Sequence, residues 1–337
     1  MLTYLLRKLL LTVPSFIGIT LLAFAFIHWV PGDPIQNMSG VFEPDTAVRA
    51  ELRHELGLDE PLPLQYGHYL LRVLHGDLGV SSLTGTPVLD EFLSQFPATL
   101  ELTLSALLLS LLLGLPAGML AAVKHRTSSD YALTGMALVG YSMPIFWWGL
   151  LLVLLFSLTL GWTPVAGRLS FLFDIEPVTG FMLIDTLLST ESYAREAFFD
   201  ALHHLLLPAV VLATIPFALF ILITRSAMLE VLNADYIRAA NSLGLSRTRI
   251  IALHAFRNAL IPVVSVLGLQ VSVFFTGAML TENIFSWPGV GKWLLDAIGR
   301  RDYVVVQGGL LMIALVAMVL NTLFDLLFAL VNPRVRK

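Results

Sequence analysis

Six stretches of this chain run for about 20 residues or more almost without charge, and that pattern restricts the fold more than any other feature. They are Leu9–Val30, Leu100–Val123, Tyr131–Leu160, Leu205–Thr224, Leu260–Thr281 and Val304–Val331. A helix of that length crosses the hydrocarbon of a bilayer. Only Glu101, at the edge of the second stretch, and Asp325, in the last, carry charge. Tyr131–Leu160 holds Gly140 and Pro144, so a kink or an interfacial extension is expected there. Leu9–Val30 follows Arg7 and Lys8, as a secretory signal would. It is longer than a signal's apolar core and no small-x-small cleavage site follows, so a retained helix is expected.

Composition narrows the classes further. Hydrophobic residues make up 57% and charged residues 13%, against about 25% charged in soluble domains. Mean hydropathy is +0.81. A soluble enzyme and a disordered chain are excluded. A net charge of −4 leaves no basic footprint for nucleic acid. With no cysteine, disulfides, thiolate metal sites and cysteine nucleophiles are excluded as well. The expected fold class is all-α, a polytopic membrane protein of six transmembrane helices.

Orientation follows from the basic residues. With the N-terminus inside, the inner segments hold Arg7, Lys8, Lys124, Arg126, Arg225, Arg238, Arg247, Arg249, Arg257, Arg334, Arg336 and Lys337, against the acids Asp130, Glu230 and Asp235. Most of the remaining acids fall on the other side. Both termini are therefore expected to be cytoplasmic. The organisation expected is an N-terminal segment and first helix (1–30), an extracytoplasmic segment (31–99), a core of five helices (100–331) and a cytoplasmic tail (332–337). The extracytoplasmic segment contains two helix-like stretches, Asp45–Leu56 and Gln65–Leu74, then a Gly/Ser/Thr-rich turn region from Gly76 to Thr86.

One inner segment is long, residues 225–259. It reads as helix, turn, helix: Gly244 suits the left-handed position that closes a helix, and Ser246 suits the N-cap of the next. Leu232, Tyr236, Ile237, Ala240, Leu243 and Leu245 give it an apolar face. Such a knob either inserts into a groove on a partner or lies against its own bundle, and the pattern leaves both open.

Residues for covalent or self-energised chemistry are sparse. A phosphate-binding loop needs Gly-x4-Gly-Lys-Ser/Thr. The nearest match, Gly289-Val290-Gly291-Lys292-Trp293, lacks the upstream Gly and the hydroxyl residue. No nucleotide hydrolysis by this chain is expected. A proton-coupled carrier needs intramembrane ionisable groups, and Asp325, with Asn321 one turn before it, stands alone. An intramembrane hydrolase would need Ser142 to meet His203 or His204. His54, His68 and His75 match no metal-ligand spacing. In the fifth stretch Ser265, Gly268, Ser272 and Thr276 recur on one helical face, which serves close packing or lines a route for a polar solute.

The inner knob resembles the Glu-Ala-Ala-x3-Gly loop of importer-type ABC permeases. Here it reads Arg238-Ala239-Ala240-x3-Gly244, with Arg in place of Glu. Pro31-Gly32-Asp33-Pro34, His75-Gly76-Asp77-Leu78-Gly79, Arg257-Asn258-Ala259-Leu260-Ile261-Pro262, Thr281 to Gly289 and Val331-Asn332-Pro333-Arg334 are similar to the peptide/nickel branch of that family. Gly140 to Gly149 and Gly180 to Thr186 resemble the B-type permeases of dipeptide importers. The resemblance covers nearly the whole chain.

It implies an ATP-driven, binding-protein-dependent importer in a bacterial inner membrane. This chain would form half of the pathway. Its implied partners are a second, homologous permease, two cytoplasmic ATPase subunits and an extracytoplasmic binding protein that delivers the peptide. No cofactor is expected on this chain; ATP and Mg would sit in the ATPases. Asp235, Tyr236, Arg238, Ala239, Ala240, Gly244 and Leu245 are the implied ATPase-facing residues. Ser265, Ser272 and Thr276 are weaker candidates for the pathway wall. Oligopeptides, nickel, glutathione and haem precursors are alternative cargoes within the branch.

Overall fold

The computed structural model describes residues 2–29 and 59–331. The expected helix Asp45–Leu56, the Pro31–Pro34 motif, His54 and the tail 332–337 lie outside the described residues. Among those described the architecture is helical, with one isolated β-bridge, Val80 to Pro87. The helices are α1 (Leu2–Trp29), α2 (Leu62–Leu74), α3 (Val88–Val123), α4 (Ser128–Ser142), α5 (Ile145–Leu152), α6 (Met182–Leu188), α7 (Ala194–Leu232), α8 (Asp235–Ser242), α9 (Phe256–Ile284), α10 (Val290–Arg300) and α11 (Tyr303–Val331). Wide π-turns continue α5 through Val153–Thr159 and lead into α9 over Ile250–Ala255.

Over its described residues each expected apolar stretch coincides with a helix or a broken helix pair, Leu160 excepted, and the six-helix count is matched only in part. Among the described residues four helices are long and apolar enough to cross a bilayer, or five with the bent pair α4/α5 taken as one span. In α1 the apolar part that is described, Thr12–Phe26, is shorter. Several helices outrun their apolar cores. The 36 residues of α3 measure about 54 Å, well beyond the ~30 Å of bilayer hydrocarbon. Its first turns carry Asp90 and Glu91, so they project past that layer.

The kink expected in Tyr131–Leu160 is a break of 107°. Pro144 forces it. A proline has no N–H to give and disfavours helical geometry in the residue before it; Met143 accordingly sits at φ −85°, ψ 130° and ends α4. Trp148 Nε1 then donates to Thr214 Oγ1 at 3.0 Å, tying the second arm to α7. Pro208 and Pro216 lie within α7 without ending it.

The chain divides into two compact units. The first comprises the described residues of Met1–Pro97 and Pro288–Thr322. In it Ala23, Tyr69 and Leu311 form a small core, and Trp293 Nε1 donates to Glu91 Oε2 at 2.8 Å. The second holds Ala98–Trp287 and the chain from Leu323. Its main cluster includes Leu102, Leu205, Leu212, Phe274 and Trp287. Close approach between its helices needs glycine: a Cβ on Gly118 would lie 2.7 Å from the Ile221 carbonyl oxygen. At the Glu101 end of this unit Arg168 donates to the Glu101 carboxylate at 2.5 Å and stands over the Trp287 ring at 5.4 Å. Glu101 also accepts the Leu183 N–H. Asp185 accepts from Thr179 and Gly180. Thr179 and Gly180 thus form a hydrogen-bonded turn that leads into α6, where residues 182–186 lie.

Candidate functional site

Two residues, Asn233 and Ala234, separate the end of α7 from the knob helix α8. Asp235 opens α8 in its first turn, where a carboxylate is favoured by the helix dipole. Arg238 pairs with it across one turn, and both are largely exposed. The helix ends as the sequence requires. Gly244 lies at φ +75°, a left-handed position that costs other L-residues energy, and its N–H reaches the Asn241 carbonyl at 3.0 Å. Ser246 stands at the expected N-cap position, but its side chain makes no capping bond; its backbone carbonyl accepts from Ile250 instead.

The helix has two faces. Ile237 and Ala240 point inward and join Ala122, Ala227, Met228 and Ala259 in one apolar cluster, against which Leu245 also packs. Asp235, Arg238, Ala239, Ser242, Leu243 and Gly244 are exposed. Of the seven residues singled out from the sequence, Asp235, Tyr236, Arg238, Ala239 and Gly244 therefore lie on the outer surface. Ala240 is buried and Leu245 half-buried against the chain's own helices. Their part is to seat the knob.

Two residues carry more than sequence reasoning gave them. Leu243, noted only as part of the apolar pattern, is 81% exposed at the tip of the knob, a large apolar side chain held out beside the turn. Asn258 Nδ2 donates to the Tyr236 hydroxyl at 2.9 Å and so ties α8 to the start of α9. Its place in the Arg257–Pro262 motif was the available signal.

The proposed pathway residues fare differently. Ser265 is exposed on α9 and its hydroxyl donates back to the Ile261 carbonyl at 3.0 Å. Thr276 is exposed and helps line a cleft of about 360 Å³ with Ile145, Ile215, Val273 and Leu280. The side chains of Ser272 and Asp325 lie outside the described ones. A Cβ on Gly268 would meet Phe324 at 3.6 Å, so this part of the small-residue face packs against α11.

The residues weighed for covalent or metal chemistry are engaged elsewhere. Ser142 Oγ donates to the Leu138 carbonyl at 2.7 Å. His203 Nε2 lies 2.5 Å from the Trp162 carbonyl, and His204 Nδ1 lies 2.9 Å from that of Asp200. His75 bonds to the Leu71 carbonyl and His68 pairs with Glu60. Among the described residues no three His, Cys, Asp or Glu side chains converge. Lys292, in the segment nearest to a phosphate loop, contacts Asp296 at 2.8 Å within α10.

Comparison with known proteins adds three observations. Residues 114–337 match the family described as binding-protein-dependent transport system inner membrane component, and residues 1–103 match the N-terminal component of such systems. The chain is 54% identical to the di/tripeptide transport system permease protein DppB of Pseudomonas aeruginosa and 53% identical to the dipeptide transport system permease protein DppB of Escherichia coli. Each alignment covers 100% of this chain and 99% of the relative. It is also 36% identical to the putrescine export system permease protein SapB of Escherichia coli, over 99% of this chain and 97% of that one.

Proposed function

This chain belongs to the family of binding-protein-dependent transport system inner membrane components, and on that premise we propose that it is the permease subunit of a dipeptide importer. The observation that carries the cargo is identity above one half along the whole length with permeases named for dipeptides. At 36% identity the named cargo is already a polyamine, so family membership alone does not select it.

The work is divided accordingly. Two ATPase subunits on the cytoplasmic side bind ATP and Mg, and their closure presses on α8. An extracytoplasmic binding protein presents the peptide. A second, homologous permease completes the pathway, and both termini of this chain face the cytoplasm. The knob supports this reading through its shape: an inward face seated by Ile237 and Ala240, and an outward face with Leu243 at its tip. A single exposed leucine is common on protein surfaces; what supports the reading is its place at the turn of the Arg238-Ala239-Ala240-x3-Gly244 motif, whose family counterpart contacts the ATPases. Neither ATP hydrolysis nor peptide chemistry is assigned to this chain. Its task is to convert pressure at the knob into a change of access.

The test is uptake in a strain lacking only this chain, with a labelled dipeptide, a labelled tetrapeptide and nickel. Selective loss of dipeptide uptake, restored by the intact gene, is expected. Loss of tetrapeptide or nickel uptake alone moves the chain to a sister cargo and leaves its family unchanged.

A further inference from the structure

Where the turn after α3 meets the far part of α7, one carboxylate collects an unusual number of donors. Asp130, in the first turn of α4, is 1% exposed. Arg225 of α7 grips it with two nitrogens, Nε on Oδ1 at 2.5 Å and Nη2 on Oδ2 at 2.9 Å. The Arg126 N–H adds a third bond at 2.9 Å, from a residue held at φ +62°, and the Thr134 hydroxyl a fourth at 3.3 Å. His125 Nδ1 lies 3.1 Å from the same carboxylate.

The position of this node matters more than its bond count. Arg225 lies two turns before the end of α7, and Ala227 and Met228, just beyond it, belong to the cluster that seats Ile237 and Ala240 of α8. Ala122, at the end of α3, joins the same cluster. Asp130 starts the helix that runs to the 107° break. Apolar contact between α4 and α7 continues beyond the node through Ala137, Ala218 and Ile221. Apolar contacts of this kind can slide. A bidentate fork fixes both distance and angle. Only the carboxylate is fully buried, the Arg225 side chain being 24% exposed; ion pairs that desolvate a charge are seldom better stabilisers than well-packed apolar groups, and what this one adds is fixed geometry.

We propose that Asp130 and Arg225 are positioning residues for energy coupling, locking the end of α7 to the start of α4 so that displacement of the knob reaches the bent pair α4/α5. The inference rests on the reading that the knob contacts the ATPases. Without the lock, motion of α8 and α7 is absorbed at the turn through Arg126, and ATP is spent without moving peptide.

The experiment uses the assembled transporter in proteoliposomes, with its binding protein and a labelled dipeptide, and reads ATP hydrolysed per peptide imported. Asp130→Asn and Arg225→Gln are expected to raise that ratio roughly tenfold, within the range usual for coupling between sites, with the complex still assembled. Arg225→Lys, which keeps the charge and loses the fork, falls between. An assembled variant with an unchanged ratio overturns the proposal. Should these variants fail to assemble, a chain carrying Asp130→Cys and Arg225→Cys, bridged by a short dithiol-reactive linker, decides the matter. A native ratio when bridged and a raised ratio when unbridged support the lock; a raised ratio in both states overturns it. A Leu243→Cys probe reports the underlying reading separately. If it fails to cross-link to the ATPases in the otherwise native chain, both ideas fall. If it cross-links while the variants keep a native ratio, only the lock falls.

Discussion

Tyr69 shows how a single polar atom can be a liability. It is buried between α1 and α11 in the first unit, and its hydroxyl has no hydrogen-bond partner among the described residues. Burial pushes its pKa up to about 12. A buried unsatisfied polar group costs about 1–3 kcal/mol, and Tyr69→Phe removes it while keeping the ring. The substitution is expected to leave the melting temperature of the detergent-solubilised complex unchanged or raised; a fall of several degrees would expose a bond that the hydroxyl makes in the working assembly. Such details were beyond the sequence, where Tyr69 is one aromatic among several. The knob was more legible. Gly244 and the paired alanines identified the turn and the helix, but a motif names residues without saying which way they face. In an eight-residue helix, Ile237 and Ala240 three apart mark the inner face, and Leu243 escapes it only because the turn begins there.

At the scale of elements, the closing turn of α8 carries the clearest prediction. A Cβ on Gly244 meets nothing within 4 Å, so the cost of substitution is conformational, roughly 1–2 kcal/mol for an ordinary L-residue and more for a β-branched one. Gly244→Val is expected to abolish dipeptide uptake with the chain still inserted and at normal abundance, whereas Gly244→Asn, which tolerates the left-handed region, retains most of it. Normal uptake by the valine variant would mean that the turn has no part in coupling. Helix boundaries were less legible than helix existence. Hydropathy locates apolar cores, while α3 and α7 extend through amphipathic turns that register only once their packing is seen. Pro144 announced a bend; its size depends on neighbours such as Thr214, which no local pattern reveals.

For the whole molecule, the absence of cysteine is an experimental opening, because any introduced thiol is unique. Leu243→Cys is expected to react with a membrane-impermeant maleimide only from the cytoplasmic side. Leu172→Cys, at a side chain that is 85% exposed, is expected to react only from the opposite side. Labelling of both from one side would overturn the orientation read from the basic residues. That orientation rests on the charge asymmetry alone, since lysine and arginine resist translocation. The division into two compact units was not legible in the sequence, because α3 and α11 each contribute to both.

The break at Pro144 also sets the parity of the chain. Fifteen residues of α4 give about 22 Å, too little to cross alone, and the second arm, Ile145–Thr159, is of the same length. The basic residues of 225–259 and of the C-terminal tail lie on the N-terminal side only if the two arms together count as a single crossing. Lengthening each arm by about five residues would let both cross. Everything downstream would then be threaded the opposite way by the insertion machinery, with α8 on the side opposite to the one its basic residues imply. The shortness of these two arms is thus an address label for the other half of the protein.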